Sequence, residues 1–478
     1  MGLSLVTLKN KIPRWILFLL LFEIFLGFAV ILFPALLPIL LSVGTLGFLL
    51  LLIKPQWGYY LTILALAFDG IAIFAAQMPG VPGAKTLNAH HVFILITFVV
   101  LLIQIVRDKL EFQKTGLEIP LLLFLIWMAI TLIWTPDFRN GGLSVFRTYV
   151  AVVFFYCTVY LFREGKYIRS IIMIWFILGL IDTILTFTFP HGFKFTPFVG
   201  MQWTKSILGR ARAFTNHPNT LATQLDLTIL LGLGLLFAAK SRLSKLFYGS
   251  AITFMSFAFI MTLSRGWLVA LPVGITFFFY KVGQLKKFIL VIIASITLVS
   301  IFFLIKPDVI GGLVWRFFRA PQDVELSEIE VTGAVKSVGV RSVLWGAGYE
   351  FFKDTYGRGI GAGGFATVVG GVLPEIADMQ LHSLYFTVTF ELGLIGLLLF
   401  LWLMALFLWR VQMFSKQAKG NPLAPLFFAW YAGWITILLN GLLRITLGSI
   451  PFWGFMALGI IMLNTIGRSN NAVRLGDK

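Results

Sequence analysis

His382, Arg210, Arg212 and Arg265 are the residues of this chain whose type and placement could do chemistry. The stretch Gly209-Arg210-Ala211-Arg212-Ala213-Phe214-Thr215-Asn216-His217-Pro218-Asn219 leads straight into an apolar run. Arginine keeps its charge and grips phosphate oxygens through paired N–H donors, and a helix N-terminus adds unsatisfied N–H groups, so an anion site fits this entrance. Asn219, Thr223 and Asp226 then fall at i, i+4 and i+7, on one helical face. A polar stripe inside lipid is costly and faces a cavity or a partner helix. Leu263-Ser264-Arg265-Gly266-Trp267 puts a further cation where two short apolar runs join. Facing lipid at mid-membrane would cost it about 2.5–3.5 kcal/mol, which favours an inward position toward an anion or carboxylate. Contact with lipid headgroups is the alternative use of all three arginines.

His382 opens the apolar run near 383–409. A neutral imidazole there could accept a hydroxyl proton near neutral pH, with a structural interfacial role as the alternative. On a straight helix Glu391 would lie about 13 Å deeper and near the opposite face, so the two should not pair. Glu391 is expected to hold another span in place and to have no catalytic role. Arg147 and Arg444 sit near outer helix ends, and Asn440 shares a face with Arg444, making both arginines candidates for the same cavity. His90-His91, His191 and His217 lack carboxylate or cysteine partners at metal-ligand spacings, so no metal site is expected. Gly359-Ile360-Gly361-Ala362-Gly363-Gly364 has the look of a dinucleotide loop without its strand-turn-helix setting, and reads as loop turns.

The elements that must position these residues are membrane helices. With 59% hydrophobic and 12% charged residues in 478, the chain carries more apolar surface than a soluble core could hide. Fourteen apolar runs lie near 15–32, 35–53, 57–76, 92–106, 119–134, 148–162, 170–189, 219–238, 246–263, 267–280, 288–305, 383–409, 424–441 and 446–465. A helix needs about 20 apolar residues to cross a bilayer, and no period-2 alternation suggests a barrel, so helices are expected throughout. The net charge of +18 could suggest nucleic acid, but most of the 38 Lys and Arg fall in loops on alternate sides of the runs. The positive-inside rule then puts both termini in the cytoplasm and the long polar stretch 306–382 outside. The lone Cys157 excludes a disulfide framework. The expected architecture is one all-α integral membrane domain over 1–478, with about 14 (12–14) transmembrane helices. The extracytoplasmic loop 306–382 is inserted between the eleventh and twelfth spans.

Over Arg210 to Phe400 the chain resembles the O-antigen ligase and polymerase family of bacterial membrane glycosyltransferases. Arg210 through Asn219 resembles the family's Arg-x-x-Gly-x-x-x-x-Pro-Asn entrance, with Ala213 where Gly is usual and Arg212 as an extra cation. Ser264-Arg265 resembles its Ser-Arg pair, and Arg341-x-x-x-Trp345 with Gly359-x-Gly361-x-Gly363-x-Phe365 its loop signature. His382-Ser383 followed by Glu391-Leu392-Gly393 and Gly396 completes the set.

The resemblance implies a GT-C-like fold in the bacterial inner (plasma) membrane and transfer of a glycan from an undecaprenyl (polyprenyl) diphosphate carrier to a glycan or lipid acceptor. The reaction would be inverting, free of metal or other cofactor, and without nucleic acid. Arg210 and Arg265, with Arg212 as a second choice, would bind the diphosphate, and His382 would deprotonate the acceptor. Arg147, Asn219, Asp226, Arg341, Glu391 and Arg444 would line or support the cavity. A ligase is the first reading and a polymerase joining lipid-linked repeats the second. A flippase or transporter fits less well, because internal repeats are not evident and the polar residues gather at outer helix ends.

Overall fold

The computed structural model describes residues 47–69, 72–74, 87–108, 114–190, 193–196, 200–203, 210–215, 217–286, single positions within 288–300, and 336–372, 381–418, 420–442 and 447–476. In chain order the first elements are α1 Gln56–Ala65, continued by a 3-10 turn Leu66–Phe68, then β1 Ala72–Phe74, β2 Leu87–Asn88 and α2 Ala89–Asp108. Next come α3 Glu118–Ile130, α4 Phe138–Leu161, α5 Ile168–Thr188, β3 Phe193–Thr196 and β4 Gly200–Trp203. There follow α6 Pro218–Ala238, α7 Arg242–Met261, α8 Arg265–Val282, α9 Lys336–Asp354 and α10 Phe365–Val372. The last three are α11 Leu384–Gln417, α12 Ala424–Gly441 and α13 Ile450–Gly476.

Eight of the described helices are long and apolar enough to cross a membrane by length and composition: α2, α4, α5, α6, α7, α11, α12 and α13. Two shorter apolar segments, Glu118–Ile133 and Val269–Val282, match the runs expected at 119–134 and 267–280. The run at 15–32 lies outside the described residues, as does part of those at 35–53 and 288–305. Helices throughout was too simple, since β1 pairs antiparallel with β2 and β3 with β4. The run at 57–76 is also shorter than expected as a helix, which stops at Phe68. Asp69 explains the stop, because its side-chain and main-chain oxygens both accept from the Asn88 amide, drawing the chain out of the helix.

The centre of the bundle is α6, which packs on α5, α7 and α12, while α13 packs along α4. Without water to drive helices together inside a bilayer, close contact comes from small residues and internal hydrogen bonds. Gly459 lies flat under Trp430, where a Cβ would meet the indole at 2.1 Å. Trp430 Nε1 donates to Phe455 O (2.7 Å) and Trp175 Nε1 to the Tyr59 hydroxyl (2.9 Å), so these buried indoles satisfy their polar edge. Asp226, fully buried on α6, accepts from Thr436 Oγ1 of α12 at 2.6 Å. It therefore ties two helices together, away from the cavity described below.

Candidate active site

The chain enters α6 through a strained, buried loop. Ala211 N donates to Met261 O, and Arg212 N to Pro190 O, pinning the loop to the ends of α7 and α5. Ala213 takes φ +48°, the left-handed region that favours glycine, which accounts physically for a glycine at this place in the motif it resembles. Pro218 opens α6 with the fixed φ suited to a first helical turn, and His217 caps it, Nδ1 accepting from Asn219 N at 3.0 Å.

This geometry delivers Arg210 to Asn219. The guanidinium donates from Nη2 to Asn219 Oδ1 (2.6 Å) and from Nε to Thr262 O (2.8 Å), a carbonyl at the end of α7. Ser264 Oγ donates to the same Asn219 oxygen at 2.9 Å, and Ser264 is the N-cap position of α8, whose first residue is Arg265. Arg210 before α6 and Ser264 ahead of α8 thus converge on one amide, that of Asn219 in the first turn of α6. Arg212 is buried at 5% exposure, and desolvation pulls its guanidinium below the usual value. It remains a cation, since arginine does not deprotonate in proteins.

A second construction holds His382 and Glu391. Helix α11 is broken at Gly393 (φ 72°, ψ −172°), a backbone region open essentially to glycine alone. Such a break orphans helix carbonyls, and buried carbonyls need partners. The glycine-rich loop supplies them: Ile360 N donates to Phe390 O (2.9 Å) and Gly361 N to Glu391 O (2.8 Å), while Leu394 N donates back to Gly357 O (2.9 Å). Trp127 Nε1 takes the Leu392 carbonyl at 2.8 Å. Gly361, at φ +101°, lies so near Thr135 that a Cβ would be 2.6 Å from its Cα. The Glu391 carboxylate accepts from Gly363 N at 2.9 Å. The glycines are indeed turns, but turns that mend a helix, and Glu391 holds this loop.

His382 immediately precedes Ser383, the N-cap of α11, and adopts φ +51°, uncommon for a non-glycine residue. Its side chain is exposed, while Leu381 on one side is buried, its carbonyl accepting from Trp345 Nε1 at 2.9 Å. Trp345 also packs on Phe386, ring centroids 4.9 Å apart, so the tryptophan of the Arg341-x-x-x-Trp345 motif fixes the chain around His382. Arg341 itself is half-buried on α9. Arg444 lies outside the described residues, and of Arg265 the backbone position is described.

Between α2, α4, α6, α11 and the start of α13 lies a cavity of ≈ 310 Å³. Arg147 and Glu391 line it, with Thr220, Thr223 and Gln224 from α6 and Thr387 from α11. Asp69, Asn88, His90 and His91 line it too; sequence reasoning weighs the two histidines only as metal ligands and passes over Asp69 and Asn88. Asp69 reaches His90 from a different element, Nδ1 to Oδ1 at 3.7 Å, a pairing that sequence spacing does not show. Paired histidines at the mouth of an apolar run were the available signal. Among the described residues, no group of three or more His, Cys, Asp or Glu is arranged to hold a metal ion.

Comparison with known proteins bears on this geometry. Residues 250–401 match the O-antigen ligase family model. The O-antigen ligase domain so matched takes in Ser264-Arg265, the Arg341 and glycine-loop motifs, His382 and the break in α11. Over a greater length the chain is similar to the teichuronic acid biosynthesis protein TuaE of Bacillus subtilis (strain 168), 22% identical over 426 residues, covering 85% of this chain and 84% of that protein. The resemblance to O-antigen ligases and polymerases therefore holds over residues 250–401, in a chain whose long apolar helices are those of a membrane protein.

Proposed function

We propose that this protein is a glycosyltransferase of the O-antigen ligase type, moving a glycan from undecaprenyl diphosphate to an acceptor hydroxyl on the extracytoplasmic face of the bacterial plasma membrane. The observation that carries the reading is the Arg210–Asn219–Ser264 node beside Arg265, within and just ahead of the O-antigen ligase domain. A shared amide acceptor holds the Arg210 guanidinium in one orientation. Preorganised cations of this kind stabilise charge as it develops on a leaving diphosphate. Arg210 and Arg265 bind the diphosphate. The acceptor oxygen attacks the anomeric carbon from the opposite face, the bond to phosphate oxygen breaks, and the acceptor proton passes to His382. The exposed position of His382 at the head of α11 supports its meeting an acceptor from outside.

On the strength of the charge distribution, the polar stretch 306–382 lies outside and both termini lie in the cytoplasm. A polymerase is the second reading. It is favoured by the relative named for teichuronic acid biosynthesis, and in it the acceptor is another lipid-linked chain.

The test incubates purified protein with undecaprenyl-diphosphate-linked glycan and candidate acceptors, following lipid diphosphate release and product size. A single transfer to a foreign acceptor supports the ligase, and a growing ladder on the lipid supports the polymerase. Movement of intact lipid across vesicles with no diphosphate released would overturn both. His382→Ala should abolish turnover in a folded protein, and full turnover would remove His382 from the chemistry.

A further inference from the structure

The ≈ 310 Å³ cavity stands one helical turn from the Arg210 node. Thr220 and Thr223 of α6 line it, and Thr223 Oγ1 donates to the carbonyl of Asn219, whose side chain holds Arg210. We propose that the wall formed by Asp69, Asn88, His90, His91 and Arg147 is a sugar subsite, binding the hydroxyl groups of the lipid-linked glycan while its diphosphate lies at Arg210. The subsite rests on the glycosyltransferase reading and adds to it the part of the substrate each wall recognises.

The charge of the wall decides against a simple anion site. Arg147 is offset in the same cavity by two carboxylates, Asp69 and Glu391, whereas an anion site would gather cations alone. Carboxylate, amide, imidazole and guanidinium together offer acceptors and donors side by side, which matches a ring of hydroxyls, each able to do both. The groups are already ordered against one another. Asn88 Nδ2 donates to Asp69 Oδ1 at 2.6 Å, and Asn88 N donates to His91 Nδ1 at 3.3 Å, leaving the proton of neutral His91 on Nε2. His90 packs on His91 with ring centroids 4.1 Å apart. His90 is 5% exposed, and its Nδ1 makes no hydrogen bond among the described residues. A buried polar atom left so is costly, and a ligand hydroxyl would remove the cost.

Size agrees as well. Ligand pockets run from about 300 to 1,000 Å³, so this cavity, at the lower end, suits one sugar ring more than an oligosaccharide. Asp69, Asn88, His90, His91 and Arg147 all precede residue 250, where the O-antigen ligase domain begins. The N-terminal helices would thereby choose the sugar, and the domain would supply the transfer chemistry.

The test uses the full chain in lipid nanodiscs and two probes: undecaprenyl diphosphate alone, and the pool of undecaprenyl-diphosphate-linked glycans extracted from the source cells. Asp69→Asn keeps an acceptor for Asn88, and His90→Gln keeps a polar side chain. Both variants should bind the bare lipid within twofold of wild type, which also reports an intact fold, and bind the glycan-bearing lipid at least tenfold more weakly. Equal binding of glycan-bearing lipid by wild type and both variants would overturn the subsite and leave the glycosyltransferase reading standing. If wild type bound neither probe, that reading itself would fall, and the subsite with it.

Discussion

Replacing Gly393 by alanine tests whether the broken helix is a built feature. At φ 72° and ψ −172° the position lies in a region where a side chain adds strain of about 1–3 kcal/mol. A Cβ would stand 2.2 Å from Arg358 O and 2.6 Å from Gly357 O, main-chain atoms that cannot swing aside. Relief requires the glycine loop to withdraw from α11, giving up the bonds Leu394 N to Gly357 O, Ile360 N to Phe390 O and Gly361 N to Glu391 O. At about 0.5–1.5 kcal/mol each, these add about 1.5–4.5 kcal/mol, for an expected loss of about 3 kcal/mol or more with the strain included. The matched control is Gly346→Ala on the exposed face of α9, where nothing lies within 4 Å and a helical alanine should gain up to about 1 kcal/mol. Unfolding of both variants by SDS titration in mixed micelles measures the difference. A Gly393→Ala protein as stable as wild type would refute the clamp, and so would one whose stability shifted by the same amount and in the same direction as that of Gly346→Ala.

Asn219→Ala removes the shared acceptor of Arg210 and Ser264 without touching the Arg210 charge. A hydrogen bond to a charged group is worth about 1.5–3 kcal/mol, so if it serves to orient Arg210 kcat/KM should fall by about one to two orders of magnitude, and unaltered kinetics would dissolve the node. Asp137 caps α4, its carboxylate held below the usual aspartate range chiefly by the Asn140 backbone N–H, and it also accepts from Thr367 Oγ1 of α10 at 3.3 Å. A folded value below the unfolded 3.8 means that this stabilisation is full above that value and is lost as pH falls through the folded one. Thermal unfolding between pH 6 and pH 3 should therefore lose part of its acid sensitivity in Asp137→Asn, which caps without titrating, and an unchanged profile would count against the linkage.

What the sequence made legible was periodic or local. Apolar runs near bilayer length became helices because length and composition suffice to define them, and Pro218 with its preceding His217 marked the start of α6. The convergence of Arg210, Asn219 and Ser264 could be suspected from motif order, but their meeting depends on where α7 ends, which no spacing encodes. The treatment of α11 as a straight rod failed for a clear reason. A glycine inside a long apolar run reads as a packing residue in a membrane helix, whereas here it is a break whose carbonyls are satisfied by a loop from another part of the chain.

The same physics links the break to the site. An unbroken α11 would satisfy its own carbonyls and have no use for the glycine loop, and Glu391 would have no Gly363 N–H to hold. The loop also reaches α3 and its C-terminal turn, where Ala362 N donates to Thr131 Oγ1 at 3.2 Å and Trp134 Nε1 donates to Gly359 O at 3.2 Å. Through the break, then, the glycine loop, α3 and the cavity-lining part of α11 are fastened into one unit. One end is fixed by Trp345 against the chain next to His382, and the other places Glu391 on the cavity. A helix defect inside a bilayer persists only where its backbone groups are satisfied by protein or line a cavity, and α11 meets both conditions at once.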